Sequence, residues 1–248
     1  MYKSLPLITI CKKGNADIQE YSPAITSNSG IPYPVSLNYG VNKSALLKQA
    51  VQDYKSGACV LWIENTVVEA QDTYDYFCSL IAPDDIGLLH SRFTAFDRTS
   101  KEDTWTTRLG KKIDPNNRKS HPCILVGTQV CEQSLDIDAD VLYTSICPID
   151  MFIQRVGRIW RHRKFDCIRP IAKPVVNWFG WENHTVPDII NKIDAISTDQ
   201  DLSQLRSGWK SLCIYDAYVI GRTIETISLY NSINIPGDIR KLLEVTYA

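Results

Sequence analysis

The 248-residue sequence carries 27 Lys+Arg against 28 Asp+Glu, a formal net charge of −1, with 44% hydrophobic and 22% charged residues. This balance excludes a chain that is disordered throughout and leaves room for one substantial core or at most two small ones. It also excludes a polyanion-binding surface spread over the whole protein, so any phosphate site has to come from a local concentration of Arg and Lys.

The apolar runs, such as Ala58–Ile63 ahead of Glu64, are far shorter than the roughly 20 residues of a membrane span, and no secretory signal opens the sequence. Eight cysteines (11, 59, 78, 123, 131, 147, 167 and 213) include no C-x-x-C pair and no His at zinc spacing. The expectation is a reducing, cytoplasmic setting with no membrane partner and no bound metal.

Residues 1–38 read as an irregular lead-in, with a strand over Leu5–Cys11 and then Ser27–Gly30 and prolines 23, 32 and 34 as punctuation. Ala45, Leu46, Ala50, Val51 and Tyr54 recur at helical spacing up to Gly57, and a strand follows at 58–64. Val67, Ala70, Tyr74, Phe77 and Cys78 mark a second helix, Ile86–His90 a short strand, and 95–109 a third helix before a polar loop from Lys111 to Pro122. Cys123–Thr128 and Val141–Cys147 are continuous apolar runs, as a parallel sheet covered on both faces requires. Pro148 opens a helix expected to reach about 163. Further helices are expected over Pro187–Ile196, Ile214–Tyr230 and Ile239–Tyr247. Alternating strands and helices imply an open α/β sheet spanning about 58–179, with ligands at the carboxyl ends of its strands.

Charge is segregated along the chain. Glu132, Asp136, Asp138 and Asp140 lie in a stretch without a base, whereas Arg155, Arg158, Arg161, Arg163 and Lys164 lie in one without an acid, so two opposed patches are expected. On a 148–163 helix, Ile149, Phe152, Ile153, Val156 and Trp160 form an apolar face, and Gln154, Arg158 and Arg161 a polar stripe. Gly157 in such a helix costs up to about 1 kcal/mol, which suggests a close backbone approach. An Arg-rich face is commonly just solvated, but a guanidinium is a permanent charge with a planar fork of donors, and a pair one turn apart can bracket a phosphoryl group.

Gln154-Arg155-Val156-Gly157-Arg158-Ile159-Trp160-Arg161 resembles Q-R-x-G-R-x-x-R, the sixth motif of superfamily-2 helicases, and Val126–Asp138 resembles their fifth. The variant T-Q-V-x-E-Q-S-L-D-x-D, with Leu61–Val67, His90-Ser91-Arg92-Phe93 and Asp97-Arg98, is similar to the CRISPR-associated helicase-nuclease of type I systems. Tyr215–Thr223 and Ile235–Arg240 extend the likeness loosely to the C-terminus. The resemblance implies a RecA-like α/β fold in three parts: a lead-in at 1–38, the second RecA-like domain at 39–180 and a mainly helical extension at 181–248. It implies that Arg158 and Arg161 are arginine fingers for ATP and Mg²⁺ held on a first domain. Gln154, Arg155 and Gly157 would line the same cleft, with Asp136 contacting the ribose or coupling it to DNA. Asn65, Thr66, Ser91, Arg92, Thr128 and Gln129 would face single-stranded DNA, although an ion pair of Arg92 with Asp97 is an equal alternative.

A complete motor also needs a G-x-x-x-x-G-K-[ST] loop and an acidic Mg²⁺-binding segment, and the 248 residues contain neither, nor a His-Asp pair for a nuclease. The expected partners are therefore a first helicase domain and nuclease, in cis or in trans, together with single-stranded DNA and the CRISPR RNA-guided surveillance complex. Two alternatives stay open: a non-catalytic binding module derived from that helicase, and a RecA-like domain of another superfamily-2 DNA or RNA helicase. Trp178, Trp181 and Trp209 fit either core packing or base stacking.

Overall fold

Three strands in which every residue is buried form the middle of the sheet: β4 (Cys59–Ile63), β6 (Cys123–Gly127) and β7 (Val141–Ser145). Their continuous apolar sequences are explained by coverage on both faces. The computed structural model describes the backbone of residues 8–11 and 18–21, and residues 33–132 and 135–248 in full. Within it, β5 (Ile86–Leu89), β8 (Val175–Phe179), β3 (Val35–Tyr39) and β9 (Ser232–Ile233) complete a seven-stranded sheet of order β5-β6-β4-β7-β8-β3-β9. Every neighbouring pair is parallel except β3 and β9. A separate antiparallel pair, β1 (Ile8–Cys11) and β2 (Ile18–Tyr21), lies within the lead-in; β1 falls inside the strand expected over Leu5–Cys11, of which residues 5–7 are outside the described set.

One face is covered by α1 (Lys43–Lys55) and α2 (Val67–Cys78), whose Ala50, Val51, Ala70 and Phe77 pack with Val60, Ile124 and Val126. There Trp62 stacks on Tyr143 at a centroid distance of 5.1 Å. The other face is covered by α3 (Ala95–Leu109), α5 (Ile149–Val156), α6 (Val186–Asp194), α8 (Ala217–Ser228) and α9 (Ile239–Tyr247), which share one apolar cluster with Leu61, Leu125 and Leu142.

The C-terminal segment is thus built into the same core as the sheet, and β9 forms its edge. The expected boundary at 38/39 falls inside β3. Two helices stand where none was expected: α4 (Pro115–Ser120), capped by Asp114 inside the polar loop, and α7 (Asp199–Gly208), opened by a Thr198–Asp201 capping box. The helix expected to run to 163 stops at Val156. Gly157 is its cap, not an interior position, and the chain then turns so that Ile159 bridges Ala139 in parallel fashion. Trp160 adopts φ 52°, a left-handed conformation that a buried aromatic holds only when its surroundings fix it. Here its indole nitrogen donates to the Asp140 carbonyl at 2.9 Å and Arg169 lies over its ring at 4.7 Å. Among the described residues no helix is long and apolar enough to cross a membrane.

Candidate functional site

The arginine segment separates into three environments. Arg155 is fully buried: Nε donates to Glu132 at 2.8 Å, Nη1 to Thr144 Oγ1 and the Ser145 carbonyl, both at 2.8 Å, and Nη2 to Asn65 Oδ1 at 2.9 Å. A cleft-lining role for Arg155 is therefore corrected to an internal one, since its fork is committed to protein acceptors. Arg158 is half-buried, and its two terminal nitrogens donate to the Glu132 and Leu135 carbonyls at 2.5 Å each. Arg161 is different. Its side chain is 44% exposed, and its nearest carboxylate, Asp136, is 3.8 Å away. Gln154 is exposed on the last turn of α5.

Arg158 and Arg161 do not form a helical stripe, because both follow the end of α5. Their separation is instead set by Asp138, which is fully buried and accepts from the backbone amides of Arg161 at 3.0 Å and His162 at 3.2 Å. Asp136 sits beside them with its side chain 42% exposed; it accepts from the Lys111 amide at 3.2 Å and lies 2.9 Å from His162 Nε2. Partial burial works against its charge, but the Lys111 amide, His162 and Arg161 together hold the carboxyl below the ordinary aspartate value of 3.8. Burial lowers the Arg158 pKa, with Arg161 acting in the same direction.

The expected opposed charge patches are largely one paired network. Glu132 meets Arg155, Asp136 meets His162 and Arg161, and Asp138 and Asp140 meet Arg169 at 2.7 and 2.6 Å. Asp140 also pairs with Arg118 at 2.9 Å and accepts from the Cys59 amide at 2.8 Å. Burial raises the Glu132 pKa even against Arg155. Arg118 and Arg169 escaped the sequence reading because Asp140, which both meet, stands more than twenty residues from either.

The carboxyl ends of β4, β5 and β6 bring the predicted strand-contacting residues together. The Thr128 amide donates to the Leu89 carbonyl at 3.1 Å and the Glu64 amide to the Gly127 carbonyl at 2.9 Å, so the three strand exits are adjacent. Asn65 is buried: its Nδ2 faces Ser145 Oγ, the Ile146 carbonyl and Ser211 Oγ at 3.1, 2.6 and 2.9 Å. Thr128 is buried as well. Gln129 directs its amide nitrogen inward, to the Asn65 carbonyl and the Tyr215 hydroxyl, both at 2.9 Å. Thr66 caps α2, accepting from the Glu69 amide at 3.1 Å. Ser91 and Arg92 are exposed. The alternative ion pair of Arg92 with Asp97 is not formed: Asp97 accepts from Thr94 Oγ1 at 2.7 Å. The turn is held by His90, whose Nδ1 accepts from the Arg92 amide at 3.2 Å while its ring stacks on Phe93 at 4.0 Å. Side chains of Asn65 and Gln129 therefore build this edge, the Thr66 hydroxyl is taken up by the Glu69 amide and carboxylate, and the side chains of Ser91 and Arg92 face outward.

At the carboxyl ends of β3 and β8, a cavity of about 410 Å³ is lined by Lys43, Glu64, Glu69, Trp181, Trp209 and Lys210. Lys43 lies 2.7 Å from the buried Glu64. Trp178 and Trp209 are buried, and Trp181 stacks on His184 at 4.2 Å, so packing accounts for all three.

Residues 56–164 match the family of the C-terminal part of the CRISPR-associated nuclease/helicase Cas3. The chain is 32% identical over 192 residues to the Cas3 nuclease/helicase of Streptococcus thermophilus, covering 77% of this chain and 18% of that protein. It is 39% identical over 134 residues to the Cas3 endonuclease/helicase of Escherichia coli K12, covering 54% and 15% respectively. The crystal structure of T. fusca Cas3-ATP superposes with a TM-score of 0.77 at 25% identity, covering 99% of this chain and 28% of that one. The chain thus spans less than a fifth of the curated relatives it matches. The seven-stranded, mostly parallel sheet and these likenesses together identify a relative of the Cas3 helicase C-terminal domain.

Proposed function

We propose that this chain is the second motor domain of an ATP-dependent DNA translocase of CRISPR defence, completed by a first RecA-like domain in cis or in trans. The observation that carries the reading is Arg161. Of the three arginines of the motif it alone keeps a half-exposed guanidinium, with one distant contact among the described residues; Arg163, just beyond the motif, is also open, 54% exposed and 3.8 Å from Asp166. A pure binding module gains nothing from a finger aimed at a phosphoryl group that it does not hold.

The residues fit a nucleotide polyphosphate supplied from across a cleft. ATP with Mg²⁺ brings the transferable phosphoryl group, and the carboxylates expected to hold the metal belong to the first domain. Arg161 would supply positive charge to a phosphoryl group held there, where its transfer builds up negative charge. Arg158 donates to the Glu132 and Leu135 carbonyls behind it, which makes it a support for the finger in this conformation. Asp136 orients His162 and Arg161 and presents a carboxylate to the ribose. At the strand edge, Thr66, Ser91 and Arg92 contact single-stranded DNA without reading its sequence, as translocation requires. The surveillance complex is the partner that would deliver that strand.

The test is association of the chain with a separately supplied first RecA-like domain of this family, loaded with ADP or with a non-hydrolysable ATP analogue. Binding at least tenfold tighter with the analogue is expected, and Arg161→Ala abolishes the difference. Equal affinity in both nucleotide states favours the non-catalytic module.

A further inference from the structure

The segment between α7 and α8 is absorbed by neither the finger turn nor the strand edge, yet it supplies two polar groups to their shared interior. A short 3₁₀ turn, Lys210–Cys213, leads to Tyr215, and Asp216 then caps α8 by accepting from the Tyr218 and Val219 amides at 2.9 and 3.3 Å. Trp209, Leu212 and Tyr215 anchor this turn in the main core at 5%, 1% and 9% exposure. Burial at so many points leaves its polar atoms little freedom.

Two of those atoms meet the strand exits. Ser211 Oγ accepts from Asn65 Nδ2 at 2.9 Å, and the Tyr215 phenol oxygen accepts from Gln129 Nε2 at 2.9 Å. Burial raises the Tyr215 pKa, so the phenol is neutral in ordinary buffers. The second Gln129 amide hydrogen goes to the Asn65 carbonyl at 2.9 Å, and Asn65 Oδ1 accepts from Arg155, which pairs with Glu132. Two part-buried hydrogen bonds thus tie Tyr215 through Gln129 to the Asn65 backbone, and the Asn65 side chain is held in turn by the buried Arg155, which pairs with Glu132. Members of such a chain fix one another's orientation, and removing one acceptor leaves a donor unsatisfied.

We propose that Tyr215 is a positioning residue for single-strand binding, fixing the exits of β4 and β6 by orienting the Gln129 amide. The inference rests on the strand-binding reading above. It makes the C-terminal segment part of the motor's DNA edge, acting through Gln129 and Asn65 without touching the strand itself.

Fluorescence anisotropy of the full chain with a fluorescein-labelled oligothymidylate at one fixed salt concentration tests it. Tyr215→Phe keeps the ring and removes only the hydroxyl; the dissociation constant of the folded protein should rise about three- to tenfold, with an unchanged fraction of binding-competent protein at a temperature well below unfolding. Gln129→Ala should weaken binding similarly, and the double variant no further than the single ones, because both remove the same contact. A merely structural role would lower the competent fraction and leave the constant of the folded protein alone. Wild-type affinity in Tyr215→Phe, or a double variant weakened by the product of the two effects, overturns the inference. A wild-type chain that fails to bind the oligonucleotide overturns the strand-binding reading and this inference with it.

Discussion

Arg155→Ala is expected to destabilise the protein by about 3–5 kcal/mol, the cost of leaving a buried charge without its partner. Glu132, 1% exposed, loses its ion pair, while Asn65 Oδ1, Thr144 Oγ1 and the Ser145 carbonyl each lose a donor. Lysine does not rescue the site, because one ammonium cannot span acceptors that the guanidinium reaches from three nitrogens. Denaturant titration of Arg155→Ala, Glu132→Ala and the double variant measures the effect. The double variant should recover part of the loss, since removing both charges avoids the uncompensated one. Loss of ATP turnover in Arg155→Ala would then follow from loss of fold, although this arginine lies in the same signature as the finger.

Arg161→Ala should have the opposite profile. Its side chain is 44% exposed and, among the described residues, pairs with Asp136 alone, at 3.8 Å, so stability changes by no more than about 0.5 kcal/mol. In a complete motor, turnover falls by about 10³-fold, the lower end of what an arginine finger contributes to phosphoryl transfer. Arg158→Ala lies between the two: it strips the donors from the Glu132 and Leu135 carbonyls, so turnover and melting temperature fall together. Melting curves beside steady-state turnover of the three variants separate these roles.

The sheet was legible because β4, β6 and β7 are short, continuous apolar runs that only a doubly covered parallel sheet explains. β3 was not. Its Val-Ser-Leu-Asn-Tyr alternates polar and apolar residues behind Pro32 and Pro34, and its place beside β8 is fixed by a partner about 140 residues away. α7 buries no residue, so it carries no periodic signal beyond its capping box. The site was legible as a set of residues and not as a set of roles. Helical spacing put Arg158 and Arg161 on one outward stripe, but Gly157 ends the helix, and the left-handed Trp160 turns the chain so that one arginine packs onto carbonyls and the other stays open. Asn65 and Arg155 read as ligand contacts because they match motifs of the resembled family, whereas burial commits them to one another.

The central claim is that these residues form half of an ATP-driven motor. ATP hydrolysis by the chain alone, and after addition of a first RecA-like domain of the same family with single-stranded DNA, tests it most directly. The account predicts no turnover by the chain alone and DNA-dependent turnover once the first domain is added. Turnover by the chain alone, or no gain on adding the first domain, would contradict it.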